Sequence, residues 1–71
     1  ASDELDLAIL AACATTFLTR AELADRVLRS ENTLRSRFLP RLVRDGRLEL
    51  RYPDAPNHPA QAYRVRRSEQ I

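Results

Sequence analysis

The segment from Ser30 to Gly46 limits the possible folds of this chain more than any other, because it holds signals for both ends of one helix. Ser30 can cap the first turn, and Gly46, the only glycine in the sequence, can end the helix in a left-handed conformation. Leu34, Phe38 and Leu42 lie four residues apart, so they share one helix face. This spacing predicts a helix that docks on a small core.

Pro40 interrupts the helical pattern of this segment. It has no N–H to donate to the carbonyl of Ser36, and it disfavours helical angles at Leu39. We therefore expect a kink or a brief interruption near Pro40. Beyond it, Leu39, Leu42 and Val43 are expected to turn towards the core.

Two further helices are predicted before this one. Residues 3–14 have an apolar stripe at helical spacing, and acidic residues in their first turn complement the helix dipole. Thr19 and Glu22 have the spacing of a capping box, which predicts a second helix over residues 20–28. Its apolar residues, Leu28 among them, are expected to face inward.

The hydrophobic period changes from 3.6 to 2 after Gly46. Residues 48–52 and residues 62–66 both alternate apolar and polar side chains, which predicts two half-buried strands. Three prolines in residues 53–59 exclude regular structure between them. Residues 15–18 are β-prone and are expected to form a connector or a minimal third strand. The predicted fold is therefore an α+β winged helix-turn-helix, with three helices followed by a β-hairpin wing.

The length of 71 residues leaves room for one small domain with one core. We expect that domain to cover residues 1–67 and to be followed by a frayed tail at 68–71. The side chains expected to be buried together are Leu34, Phe38, Leu42, Ile9, Leu23 and Leu50.

The sequence also predicts the setting of the domain. It has no apolar run long enough for a membrane span. The single cysteine, Cys13, lies on the apolar stripe of the first helix, where we expect a buried core thiol. One cysteine cannot form an intramolecular disulfide, which fits a reducing compartment such as the bacterial cytoplasm. Because the chain does not begin with methionine, we expect it to be a piece of a longer protein or a processed chain.

The net charge of +2 is unevenly distributed. Residues 1–25 have one arginine and five acidic residues, a net charge of −4. Residues 26–67 have eleven arginines and four acidic residues, a net charge of +7. The basic block contains both the third helix and the hairpin, the two elements that a winged helix presents to DNA.

Catalytic and metal chemistry have little support in the sequence. One histidine and one cysteine in distant elements are too few for a zinc site, and His58 has no Ser, Cys or carboxylate spaced to orient it. We therefore expect no enzymatic activity, no cofactor and no metal. His58 is expected to fix the shape of the hairpin loop or at most to contact a ligand. Gln61 could either reach a groove or brace the loop.

Three sequence motifs carry a resemblance to a known family. They are TRAEL at 19–23, TLRSRFLPRLV at 33–43 and YPDAPNHPAQAYR at 52–64. Over residues 15–65 the chain resembles the C-terminal winged-helix module of bacterial Fic-type proteins and of RecG-related, ATP-dependent-helicase-like proteins. This resemblance implies a winged-helix module at the end of a longer chain. The sequence has neither a Fic-type active-site motif nor a phosphate-binding glycine-rich loop.

Two functions follow as hypotheses. The first is binding of double-stranded DNA, with the third helix in the major groove and the hairpin on the backbone. The second is an interaction module that docks on its parent chain, on a second copy or on another protein without binding DNA. The charge placement favours the first. The expected DNA-binding residues are Asn32, Thr33, Arg35, Ser36, Arg37, Arg44, Arg51, Arg64 and Arg66.

Overall fold

The computed structural model of the chain describes residues 2–66. Three helices and three short strands make up this part of the chain. The third helix, α3, consists of three consecutive segments, of which the middle one is a π-helix. The elements are α1 Ser2–Ala12, β1 Leu18–Thr19, α2 Arg20–Val27, α3 Glu31–Thr33, Leu34–Phe38 and Leu39–Arg44, β2 Leu48–Leu50 and β3 Ala62–Val65.

The three strands form one antiparallel sheet in the order β1–β3–β2. Tyr63 of β3 lies opposite Leu18 on one side and opposite Leu50 on the other. Because β1 begins at Leu18, the expected strand at 15–18 is real but shifted towards the helix that follows it. Three helices and this small sheet confirm the predicted α+β winged-helix fold. The predicted frayed tail lies outside the described residues.

The start of α2 confirms the predicted capping box. The Glu22 backbone N–H donates to Thr19 Oγ1 at 3.2 Å, and the Thr19 N–H donates to Glu22 Oε1 at 2.8 Å. Leu18 and Leu23, which flank this box, are both buried. The helix is thus started by local hydrogen bonds and held to the core by its neighbours.

The end of α2 differs from the prediction. The helix stops at Val27, and Leu28 adopts a left-handed conformation with φ 59°. This conformation brings the Arg29 N–H to the Ala24 carbonyl at 3.1 Å and turns the chain towards α3. Leu28 is 81% exposed, so the expectation that it faces inward was wrong.

The predicted interruption of α3 occurs one turn before Pro40, as the π-helical segment Leu34–Phe38. There the Leu39 N–H donates to the Leu34 carbonyl five residues back, which inserts one extra residue into the turn. Leu39 therefore follows Leu34 into the core, and Phe38 is only partly buried at its edge. The prediction of a fully buried Phe38 was wrong for this reason.

The end of α3 is a Schellman motif built on Gly46, whose φ is 80°. The Gly46 N–H donates to the Val43 carbonyl and the Arg47 N–H to the Leu42 carbonyl, each at 3.0 Å. The glycine was predicted to end the helix, and the structure confirms it. The turn delivers the chain directly into β2.

The core is formed by all three helices and the sheet. Ile9, Leu23 and Leu42 are fully buried as predicted, whereas Leu50 is only partly buried at the edge of the core. Cys13 is also buried, and its Sγ–H donates to the Ile9 carbonyl at 3.2 Å. Burial raises the pKa of the Cys13 thiol, so this side chain is an unreactive core residue, as expected.

An ion pair that was not predicted joins α1 to α3. Two guanidinium nitrogens of Arg41, Nη2 and Nη1, donate to the Asp6 carboxylate at 2.8 and 3.1 Å. The Asp6 side chain is only 5% exposed, and that of Arg41 is 34% exposed. Asp6 lies near the N-terminus of α1, and it also binds Arg41, a partner 35 residues away in the sequence.

Candidate nucleic-acid interface

The first turns of α3 present most of their predicted DNA-binding residues to solvent. Asn32, Arg35, Ser36 and Arg37 are exposed, whereas Thr33 is partly buried. Thr33 takes part in the helix cap: its backbone N–H donates to Ser30 Oγ at 3.1 Å, and its Oγ1 accepts from the Ser30 hydroxyl at 2.9 Å. Thr33 is therefore the least accessible of these five residues.

Within this group, Asn32 is the centre of two local hydrogen bonds. Arg35 Nη2 donates to Asn32 Oδ1 at 2.9 Å, and the Ser36 hydroxyl donates to the Asn32 backbone carbonyl at 2.7 Å. In the second bond, the Ser36 hydroxyl of the π-helical turn gives the Asn32 carbonyl a donor, next to a segment where backbone bonding is irregular. Arg37 has no hydrogen bond or ion pair with any residue in 2–66. Its charge is fully available for a ligand.

The predicted arginines of the hairpin are not equivalent. Arg64 donates to Glu49 Oε2 at 2.6 and 2.9 Å, and its guanidinium lies 4.3 Å from the centre of the Phe17 ring. Arg51 is exposed and lies 6.0 Å from the same ring. Because Glu49 neutralises Arg64, the charge of Arg51 is the more available of the two.

The other two predicted arginines lie elsewhere. Arg44, at the end of α3, has a side chain that is 75% exposed, with Asp45 Oδ1 3.9 Å from its Nε. Arg66 follows β3, and its backbone N–H donates to the Arg47 carbonyl at 3.0 Å. The structure thus divides the predicted basic residues among α3, the Phe17 side of the sheet and the end of β3.

The hairpin loop, defined here as residues 51–61, is braced by the buried side chain of Gln61. Its Oε1 accepts from the N–H groups of Tyr52 and Ala62 at 3.0 and 3.1 Å. Its Nε2 donates to the carbonyls of Tyr52, Ala55 and Pro56 at 3.0 to 3.3 Å. Of the two roles that the sequence left open for Gln61, the structure therefore supports bracing.

His58 also fixes the shape of this loop. Its ring stacks on Tyr52 with 4.0 Å between centroids and 10° between planes. Its Nδ1 accepts from the Ala60 N–H at 2.9 Å, which requires the proton of the neutral ring to be on Nε2. The distinctive YPDAPNHPAQAYR motif is thus explained in large part by internal contacts of the loop.

A groove between α3 and the hairpin loop was not predicted from the sequence. We call it the α3–loop groove; its volume is about 440 Å³. Burial raises the pKa of Tyr63 in its wall, an effect that the nearby Arg20 guanidinium partly offsets. No local sequence pattern indicates this groove, because it exists only when the loop folds back towards α3. Its lining residues are Arg20, Arg35, Leu39, Pro40, Val43, Arg44, Leu50, Pro56, Asn57 and Tyr63.

Neither a metal site nor a membrane span is found in residues 2–66. This range contains no group of three or more His, Cys, Asp or Glu side chains that could hold a metal ion. None of its helices is long and apolar enough to cross a membrane.

The fold and the exposed face of α3 define a winged-helix domain. Among solved structures, the chain is similar to the crystal structure of a Fic family protein from Desulfovibrio desulfuricans G20. The TM-score is 0.81 and the sequence identity 26%, over 96% of this chain and 21% of that one. The chain therefore spans about a fifth of the length of that protein.

No protein-family model matches the chain, and no curated protein matches it. The resemblance to Fic-type proteins that the motifs indicated is thus supported by a solved structure over one region of a longer protein. The resemblance to RecG-related proteins has no such support.

Proposed function

We propose that this chain is a DNA-binding winged-helix domain within a larger Fic-type protein. The observation that carries the proposal is the exposed face of α3, where Asn32, Ser36 and Arg37 lie on the helix that winged helices insert into the major groove. In this proposal the domain binds and does not catalyse. Its compartment would be the bacterial cytoplasm, where the chromosome is.

Base contacts would come from the first turns of α3. Asn32 keeps its amide N–H donors for a base edge while its Oδ1 accepts from Arg35. The bidentate contact of an asparagine with adenine uses both atoms, so it would require Arg35 to turn away, towards a phosphate. Arg37, with no partner in 2–66, can contact guanine or a phosphate without breaking any bond.

Phosphate contacts would come from the exposed arginines. Arg37, Arg44, Arg51 and Arg66 are all exposed, whereas the charge of Arg64 is already paired with Glu49. Four phosphate contacts give an expected slope of log affinity against log salt of roughly −4. We expect Arg51→Ala to reduce the slope by about one unit and Arg64→Ala to reduce it less.

A fluorescence-anisotropy titration tests the proposal. The 71-residue chain is titrated into a labelled duplex at several salt concentrations, with Arg37→Ala as the test variant. Arg26→Ala is the matched control, because Arg26 is exposed on α2 and is not among the proposed contacts. We expect Arg37→Ala to weaken binding by about tenfold and Arg26→Ala to change it by less than about twofold. Absence of duplex binding at low salt, or equal effects of the two substitutions, would refute the proposal.

A further inference from the structure

The α3–loop groove has an apolar floor. Leu39 and Val43 of α3, Leu50 of β2 and Tyr63 of β3 all line it, with the exposed ring of Pro40 beside them. Its volume of about 440 Å³ lies within the range of about 300–1,000 Å³ that is usual for ligand sites. The groove is therefore large enough to hold one bulky side chain together with the backbone on either side of it.

The charged side chains that line the groove are all basic. They are Arg20, Arg35 and Arg44. The acidic residues nearest to them are exposed and only loosely paired: Glu31 Oε1 is 3.5 Å from Arg20 Nε, and Asp45 Oδ1 is 3.9 Å from Arg44 Nε. Such long, exposed pairs neutralise little charge. An occupant of this groove must therefore combine an apolar group with negative charge.

The loop side of the groove is already in place before any ligand binds. Pro56 and Asn57 form this wall, and the Pro56 carbonyl accepts from Gln61 Nε2 at 3.3 Å. The Tyr52–His58 stack and the three prolines of the loop restrict it further. Binding would consequently require little ordering of the loop, which lowers its entropic cost.

We propose that the α3–loop groove binds an acidic peptide segment that carries one bulky apolar side chain between carboxylates. The apolar side chain would lie on Pro40, Val43 and Leu50, and the carboxylates would bind the arginines at the edges. A nucleic-acid backbone would satisfy the same arginines, but it has no bulky apolar group to cover the floor. This inference goes beyond DNA binding, although Arg35 and Arg44 belong to both sites.

Three labelled peptides test the proposal against the 71-residue chain. The first has the sequence Glu-Glu-Leu-Glu-Glu, the second has Ser in place of Leu, and the third has Lys in place of every Glu. Fluorescence anisotropy at about 0.1 M salt measures their binding, so that long-range attraction is screened. We expect the leucine peptide to bind at least about tenfold more tightly than the serine peptide, and the lysine peptide not to bind.

Charge-reversal variants locate the site. Arg44→Glu is expected to weaken binding of the leucine peptide at least about tenfold. Arg26→Glu is the matched control on α2 and should change it by less than about twofold. Circular dichroism verifies that both variants are folded. Amide shifts of Leu39, Val43 and Leu50 on addition of the peptide, measured by NMR, provide a readout that does not depend on any substitution.

Several results would overturn the proposal. Equal binding of the leucine and serine peptides would mean attraction by charge alone, and equal effects of Arg44→Glu and Arg26→Glu would mean that no site is involved. Concentration-dependent self-association that Arg44→Glu abolishes would assign the groove to a second copy. A duplex that shifts the same floor amides would assign it to nucleic acid. The DNA proposal is judged separately by its own salt dependence, so either proposal can fail alone.

Discussion

The side chain of Gln61 makes hydrogen bonds to Tyr52, Ala55, Pro56 and Ala62, all of them within the hairpin region. We predict that Gln61→Ala lowers the free energy of unfolding by about 1–3 kcal/mol, because it removes part-buried hydrogen bonds to the backbone of Tyr52, Ala55 and Pro56. Urea denaturation followed by circular dichroism measures this change.

The matched control for Gln61→Ala is Asp54→Ala in the same loop. Asp54 is exposed and has no hydrogen bond within residues 2–66, so its removal should change stability by no more than about 0.5 kcal/mol. If Gln61→Ala falls within the same limit, the loop does not depend on this side chain.

Leu28 is notable for its left-handed backbone conformation. A left-handed conformation costs an ordinary residue about 1–2 kcal/mol, and the exposed Leu28 side chain returns little packing energy. We predict that Leu28→Gly raises the free energy of unfolding by about 0.5–1 kcal/mol, the greater freedom of glycine in the unfolded chain offsetting part of the gain. Leu28→Ala keeps the unfavourable conformation and serves as the control. A thermal melt in which alanine stabilises as much as glycine would contradict this account.

Single residues differ in how far the sequence determined them. Cys13 could be assigned to the core because an apolar helix stripe predicts burial directly. The role of Gln61 could not, because the partners of its amide group are created by the fold of the loop itself. Arg64 was predicted to contact phosphate, and nothing in its local pattern revealed that β2 would place Glu49 opposite it.

At the scale of elements, the sequence determined helix starts better than helix faces. The capping box at Thr19, the cap at Ser30 and the C-terminal glycine, Gly46, all act within a few residues, and all are confirmed. On the inward face of α3, Leu34, Leu39 and Leu42 are buried as predicted, whereas Phe38 is only partly buried because the π-helical turn holds one extra residue. Pro40 indicated that an interruption would occur but not where the extra residue would be.

This extra residue leads to a prediction about Leu39 and Phe38. Leu39 is buried and Phe38 is only partly buried, so Leu39→Ala should lower the free energy of unfolding by about 2–5 kcal/mol. Phe38→Ala should cost less than the about 3–5 kcal/mol usual for a fully buried phenylalanine. Chemical denaturation of both variants compares them directly. A larger loss for Phe38→Ala would mean that α3 keeps an uninterrupted α-helical register in solution.

At the scale of the whole molecule, the change of hydrophobic period was enough to predict the winged helix, because each element follows from its own segment. Features that join distant segments were missed. The α3–loop groove requires Pro56 and Asn57 to approach α3, and the Asp6–Arg41 pair joins residues 35 positions apart. Neither arrangement leaves a periodic signal in the sequence.

The Asp6–Arg41 pair supports a last prediction, about how α1 is held to α3. Removing only the arginine, in Arg41→Met, leaves a carboxylate that is 5% exposed without this partner. Breaking a buried pair in this way costs about 3–5 kcal/mol, and the partial exposure of Arg41 places the expected loss at about 2–3 kcal/mol. The double variant Asp6→Leu with Arg41→Met removes both charges and should recover most of that loss.

Arg26→Met on α2 is the control for this pair, because it removes an exposed arginine in the same chemical way. It should change the free energy of unfolding by no more than about 0.5 kcal/mol. Urea denaturation of the four proteins, wild type included, measures the free energy of unfolding of each. It thereby separates the destabilisation caused by the unpaired carboxylate from that caused by losing the packing of the arginine side chain. If the single and double variants are equally destabilised, lost packing is the main effect. Recovery in the double variant would instead show that the unpaired charge of Asp6 causes the loss.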